Sequence, residues 1–260
     1  VIEKVRREAL NPEHTYFYIH TTCMACNFSN FPILSDLAFE SAGLEGLKIG
    51  LINSMAPGEM LPQTLAAKML ESSILGGILY KLFHRVMPYE TRTGEAEEVL
   101  LQSRERIVGA ILEGEDTRSV LTSIVERFQA IERDESAGRK PRIGLIGDLY
   151  VKYNNLVNQN VQNAVRELGG ELWVPPMTEW PFHFYDADVR LHGEDPRSYR
   201  LLKTIEKRYE RLASALIKEQ EEPDFGECVR LMEEYRITHY IVGETSINLG
   251  RALYYIKHGL

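Results

Sequence analysis

The sequence predicts an α/β fold of two halves, each a parallel sheet with helices packed on both faces. Three observations carry that expectation. Short apolar runs recur along the chain, and most are followed by a segment whose apolar residues fall at helical spacing. Short apolar strands alternating with helices are the pattern of a buried parallel sheet. A charged stretch, "RDESAGRKPR" (133–142), reads as an exposed hinge that divides the chain into a first α/β unit, 1–138, and a second, 139–260.

The elements follow in order. "TYFYIH" (15–20) leads through a CxxC loop to "FPILSDLAFESAG", a helical pattern. "LKIGLIN" (47–53) leads to "LPQTLAAKMLESSILGGILYKLFHRV", where Pro62 suits a first helical turn because its missing N–H costs nothing there. A long helical section over about 90–137 is rich in Glu and Arg, with Leu, Ile and Val at helical spacing. "PRIGLIGDLYV" (141–151) opens the second unit and leads to "NLVNQNVQNAVRELGG", closed by a Gly pair fit for a C-cap. Two further strands are expected at "ELWVPP" (171–176) and "THYIVGE" (238–244), the latter running into "SINLGRALYYIKHG". Between them, helix 195–219 carries Leu201, Leu202, Ile205, Tyr209, Leu212 and Leu216 as one apolar stripe, read as core.

Composition narrows the function classes. The 260 residues, 44 % hydrophobic and 26 % charged, suit an ordinary globular chain with a real core. No run approaches the ~18 apolar residues of a membrane span, and the charged N-terminus has no apolar stretch of a signal peptide. The chain opens in mid-helix without Met, which suggests a piece of a longer protein. A net charge of −8 argues against non-specific nucleic-acid binding, which needs concentrated Lys and Arg. Three cysteines make no disulfide framework, so a reducing, cytoplasmic setting is expected.

The chemistry begins with Cys23 and Cys26, two of those three cysteines, in "HTTCMACNFSNF". The loop after a strand's carboxyl end is where ligands sit in open α/β sheets. Asn27 or Ser29 can cap the helix that follows, and thiols near a helix N-terminus have lowered pKa values. Thiolates are what iron and zinc bind, so the pair is a candidate metal site. Three alternatives stand beside it: two buried thiols filling space, a thioredoxin-like couple, or a zinc site recruiting His20. The "MA" interior is unlike the usual redox motif, and a fourth zinc ligand has no evident source. Cys228, in "FGECVRLMEEY", reads as a core cysteine within a helix.

A second constellation is "GDLYVKYNNLVNQN" (147–160), whose Asp148 and Asn158 either bind ligand or satisfy loop backbone. "GETSINLG" (243–250) resembles an anion loop without matching a nucleotide-binding pattern, and "WVPPMTEWPFHFY" (173–185) reads as a packed crossing loop. No Ser–His–Asp, HExxH or EF-hand pattern appears, so hydrolase chemistry has no support.

With these motifs in view, "YFYIHTTCMACNFSNFPILSDLAFESAGLEGLKIGLINS" resembles a segment of 2-hydroxyacyl-CoA dehydratase-related proteins that reads like "GPCRFGQY" before a helix and a strand. "RIGLIGDLYVKYNNLVNQNVQNAVRELGGELWVPPMTEW" is similar to a second and more specific stretch of that family. The resemblance covers most of residues 14–258 and points to the uncharacterised branch that accompanies an ATP-dependent activase of the actin/Hsp70 type. It implies two flavodoxin-like doubly wound halves with additional long helices. It also implies an iron–sulfur cluster, of the 4Fe–4S kind, that takes an electron from the activase, or from a fused activase domain, and passes it to a CoA thioester. Cys23 occupies the position of the family's Pro-Cys-Arg cysteine and carries over as a metal ligand. Cys26 stands where the family has no cysteine and is a second candidate.

"GPCRFGQY" has become "TTCMACNF", without the Gly, the Arg and the Gln-Tyr, and relatives carry a further cysteine beyond the position where this chain stops. The leading expectation is an iron–sulfur electron-transfer component with dehydratase-like, lyase-type chemistry, as part of a larger protein or a homo- or hetero-dimer. Asp148, Tyr150 and Asn158 are expected to line the same cleft as the thiols. The rivals are a docking or regulatory module without a cluster and a zinc-stabilised domain.

Overall fold

A computed structural model describes residues 1–21, 29–53, 62–134, 136, 138–179, 183, 197–217, 225–238 and 244–259. Contacts divide the chain into two compact units, Val1–Ala66 and Ala67–Leu260. Among the described residues helices dominate, and the strands form two parallel pairs, so the α/β reading holds at this level.

The first unit contains α1 (Ile2–Arg7), β1 (Tyr16–Thr21), α2 (Phe31–Ser41) and β2 (Lys48–Asn53). A 3-10 turn, Pro12–His14, delivers the chain to β1, with Asn11 Oδ1 accepting from Glu13 N at 2.9 Å. β1 and β2 pair in parallel, Phe17 opposite Ile49 and Tyr18 opposite Gly50. Alternation along β1 turns Phe17 inward and leaves Tyr16 and Tyr18 exposed. Phe17 and Ile49 pack on a small core of Val5, Phe39, Leu44 and Leu47, and the Phe17 and Phe39 rings meet edge to face at 5.5 Å. Pro32 occupies the first turn of α2, as its fixed φ favours.

The second unit has a helical core and a parallel strand pair. α3 (Gln63–Val86, which starts in the first unit), α4 (Glu95–Glu113), α5 (Thr117–Gln129) and α8 (Arg197–Ile217) supply the main core, with Leu75, Leu82, Leu121, Val125 and Phe128 almost fully buried. α4 and α5 make up the helical section expected over 90–137. Gly114, at φ +75°, ends α4, and Asp116 caps α5. Ile205, Tyr209 and Leu212 of the expected α8 stripe join this core; the side chains of Leu201, Leu202 and Leu216 lie outside the described residues. A polar knot ties three helices there. Glu71 Oε1 accepts from the Thr117 and Tyr209 hydroxyls, each at 2.6 Å.

β3 (Arg142–Gly144) and β4 (Glu171–Trp173) run parallel, with Ile143 opposite Leu172. They are the neighbouring parallel pair expected from "RIGLIG" and "ELWVP". The link between them differs from the expected single helix. α6 (Leu149–Tyr153) begins inside the stretch read as strand, because Asp148 Oδ1 caps Val151 N at 2.9 Å. Asn154 then turns the chain by accepting from Leu156 N, and Gln159 and Asn160 take positive φ. α7 (Val161–Glu167) therefore starts seven residues later than the expected helix at Asn154, and Gly169, at φ +76°, closes it. α9 (Phe225–Glu234) and α10 (Thr245–Lys257) complete the unit. The strand expected at 238–244 falls largely outside the described residues.

Trp173 holds β4 against its surroundings. Its Nε1 donates to Glu171 Oε1 at 2.7 Å, and the Arg85 guanidinium lies 3.2 Å from its ring centre. Tyr89 OH donates to Glu171 Oε2 at 2.8 Å, so this buried carboxylate is matched by donors and by Arg85 and Arg142.

Candidate functional site at the carboxyl end of the second strand pair

Cys23 and Cys26 lie outside the described residues, as does the side chain of His20. Their neighbour β1 is described, and it ends at Thr21 at the carboxyl end of a parallel pair. Cys228 is 1 % exposed in α9, where the sequence reading places it.

Asp148, Tyr150 and Asn158 all belong to the connection that leaves the carboxyl end of β3. Asp148 caps α6. Asn158 Nδ2 donates to Val151 O and Lys152 O at 3.0 and 3.1 Å, holding the carbonyls of α6. Tyr150 is half exposed.

The same edge gathers ionisable groups that sequence reading did not single out. Glu244 Oε2 accepts from Leu149 N at 2.9 Å, and Asn248 Oδ1 accepts from Gly147 N at 3.0 Å. The N-terminal part of α10 thus satisfies the backbone where β3 turns into α6. Arg251, one turn further along α10, donates through Nε to Glu179 Oε1 at 2.7 Å, and both side chains are nearly excluded from solvent. Tyr153 OH donates to Pro175 O at 2.5 Å, fastening α6 to the segment after β4. Lys152 is buried among these groups. Burial pushes its ammonium below the ordinary lysine range, and the Glu179, Glu244 and Asp148 carboxylates offset part of that shift.

Beside this cluster, α3, the segment after β4 and α8 line a small cleft that opens to solvent. Ile74, Ile78, Val174 and Pro176 form its apolar side, and Gly77 lets α3 approach Pro176, since a Cβ there would sit 3.3 Å from Pro176 Cβ. Thr178, Lys81, Glu206 and Glu210 supply its polar groups. Burial raises the Glu206 carboxyl to about 7, against the opposing effects of the Thr178 hydrogen bond and Lys203. The Glu206 carboxyl, raised to about 7, gives this edge a group able to hold or release a proton near neutral pH.

The signal for these groups was present but short. Glu244, Asn248 and Arg251 recur at i, i+4 and i+7, which puts three polar side chains on one face of α10. Glu206 and Thr178, far apart in sequence, carried no such mark. Among the described residues no group of three or more His, Cys, Asp or Glu is placed to hold a metal ion, and no helix is long and apolar enough to cross a membrane. No family model, curated protein or solved structure matches this chain.

Proposed function

We propose that the protein is an iron–sulfur electron-transfer component related to the 2-hydroxyacyl-CoA dehydratases, built on two flavodoxin-like halves and acting with an ATP-dependent activase on a CoA thioester. Cys23 is the proposed ligand and Cys26 the second. The cluster, when bound, supplies the one-electron chemistry, while the chain supplies its position and electrostatics. Asp148, Tyr150 and Asn158 are proposed to line the thioester's cleft.

The observation that supports this reading is the parallel pairing of β1 with β2. β1 ends at Thr21, so the CxxC begins two residues past the carboxyl end, the edge at which open α/β sheets take their ligands. Two thiolates are suitable donors for iron and fill about half of the four positions a cluster offers. The reading therefore requires ligands beyond Cys23 and Cys26. Cys228 is not one of them, because it is packed against Gly250 between α9 and α10.

Anaerobic reconstitution with iron and sulfide tests the proposal. Visible cluster absorbance is expected for the chain within the larger protein or complex that supplies the remaining ligands, and for Cys228→Ser in that setting, and its loss for Cys23→Ser, whose hydroxyl stays protonated and binds iron poorly. Equal iron binding with and without Cys23 would overturn the assignment. A second reading, a docking module without a cluster, draws its support from α2, where Ile33, Leu34 and Leu37 are all more than half exposed. That reading expects no iron in any variant.

A further inference from the structure

We propose that the outer face of α4 is a homodimer interface, on which two copies of this chain pair their α4 helices in parallel across a two-fold axis. This pairing is independent of the metal reading.

Helical spacing sorts the side chains of α4 into two faces. Ala96, Ile107, Ala110 and Ile111 are buried in the core. Leu101, Val108 and Leu112 recur at i, i+7 and i+11 and form one strip on the opposite side, with 45, 53 and 72 % of their surfaces exposed. A single exposed Leu is ordinary. Three large aliphatic side chains in a row on the outward side of one helix leave a continuous apolar strip in water.

The charges beside the strip select a second copy as its cover. Arg104 and Glu105 lie between Leu101 and Val108, on opposite flanks of the strip, and both are exposed. Neither has an oppositely charged residue three or four places away on α4. Neither side chain makes a hydrogen bond or ion pair among the described residues. Other charges of α4 are matched within the chain, Arg106 by Glu115 and Glu98 by Arg92. A partner surface of one sign would match either Arg104 or Glu105 and oppose the other. A second copy of α4 matches both.

With the helices parallel and the two-fold axis running along them, each strip residue meets its own counterpart, so Leu101, Val108 and Leu112 stack in layers. The same axis exchanges the flanks. Arg104 of each copy therefore comes beside Glu105 of the other, giving two ion pairs between the Leu101 and Val108 layers. An antiparallel pairing in the register that matches Leu101 with Val108 would instead bring Arg104 against its own counterpart. At the N-terminal end Glu97 approaches Glu98 of the second copy, and Arg92, the partner of Glu98, offsets that repulsion. The strip from Leu101 to Leu112 is only about 16 Å long, so the interface is small and the association weak.

Sedimentation velocity of the full chain from about 2 to about 200 μM tests it, with the unfolding midpoint of each variant measured alongside. The parent is expected to pass from monomer to dimer within that range. Val108→Glu is expected to weaken association by roughly tenfold or more, and so is Arg104→Glu, which sets like charges side by side. Arg104→Glu combined with Glu105→Arg is expected to restore association to within about threefold of the parent, because the pairs re-form with their signs exchanged. All three positions are exposed, so the unfolding midpoints are expected to stay unchanged. A parent that remains monomeric overturns the proposal. So does a dimer that no variant weakens, or a loss in Arg104→Glu that the double variant leaves unrepaired. A lower unfolding midpoint for Val108→Glu with unchanged association would show the strip covered from within the chain, which overturns it too.

Discussion

Arg251 and Glu179 form an ion pair almost without solvent contact, with Nε 2.7 Å from Oε1 and the two side chains 3 % and 9 % exposed. The pair joins α10 to the segment after β4, beside the buried Lys152. Removing Arg251 leaves the Glu179 carboxyl buried without its ion-pair partner. Arg251→Met is therefore expected to destabilise the second unit by about 3–5 kcal/mol, and adding Glu179→Gln should recover much of that loss. Urea denaturation of the two variants checks both halves of the prediction. Equal losses for the single and double variants would show that packing, not charge, dominates here.

Two helical glycines should respond oppositely to the same change. A Cβ at Gly250 would lie 2.5 Å from Cys228 Cβ and 3.0 Å from its carbonyl oxygen, where α9 and α10 touch. Gly250→Ala should cost about 1–3 kcal/mol by forcing the helices apart. A Cβ at Gly76 of α3 meets nothing within 4 Å. Gly76→Ala should stabilise by about 0.5–1 kcal/mol, because it lowers the entropy lost on helix formation. Thermal unfolding of both variants gives the two signs directly.

His84 and Glu206 act on stability with opposite pH slopes. Burial, with Arg85 adjacent, pushes His84 from 6.5 down to about 4, and neither ring nitrogen has a hydrogen-bond partner among the described residues. Its contribution is present above 6.5 and is lost as pH falls toward 4, because the unfolded chain takes the proton first. Glu206 is raised from 4.5 to about 7, so its contribution is present below 4.5 and is lost as pH rises toward 7. Relative to the parent, His84→Leu should gain stability as pH falls through the first window, and Glu206→Gln as pH rises through the second. Denaturation midpoints across about pH 4 to about pH 8 resolve the two, each with a limiting slope of about 1.4 kcal/mol per pH unit. Parallel curves for parent and variants would remove both groups from the account.

Strand and helix positions were legible where the pattern was long or sharply punctuated. "TYFYIH" and "LKIGLIN" became β1 and β2 to within a residue, and the Gly pair after "VREL" closes α7 as its φ requires. The connection after β3 was misread, because "GDLYVKYNN" is apolar enough to resemble a continued strand. Local chemistry decided it instead: the Asp148 cap and the Asn154 turn override strand propensity over a few residues. The cluster around Lys152 was illegible for a different reason. Its members come from residues 148 to 251, and only the fold sets them side by side.

Electron paramagnetic resonance of the anaerobically purified, reduced protein, read together with its acid-labile sulfide content, tests the proposed function most directly. The account predicts a reduced iron–sulfur signal in the parent protein, assembled with the larger protein or complex that supplies the remaining ligands, that survives Cys228→Ser and disappears in Cys23→Ser. Absence of both signal and sulfide from the parent, or a signal that persists without Cys23, would contradict it.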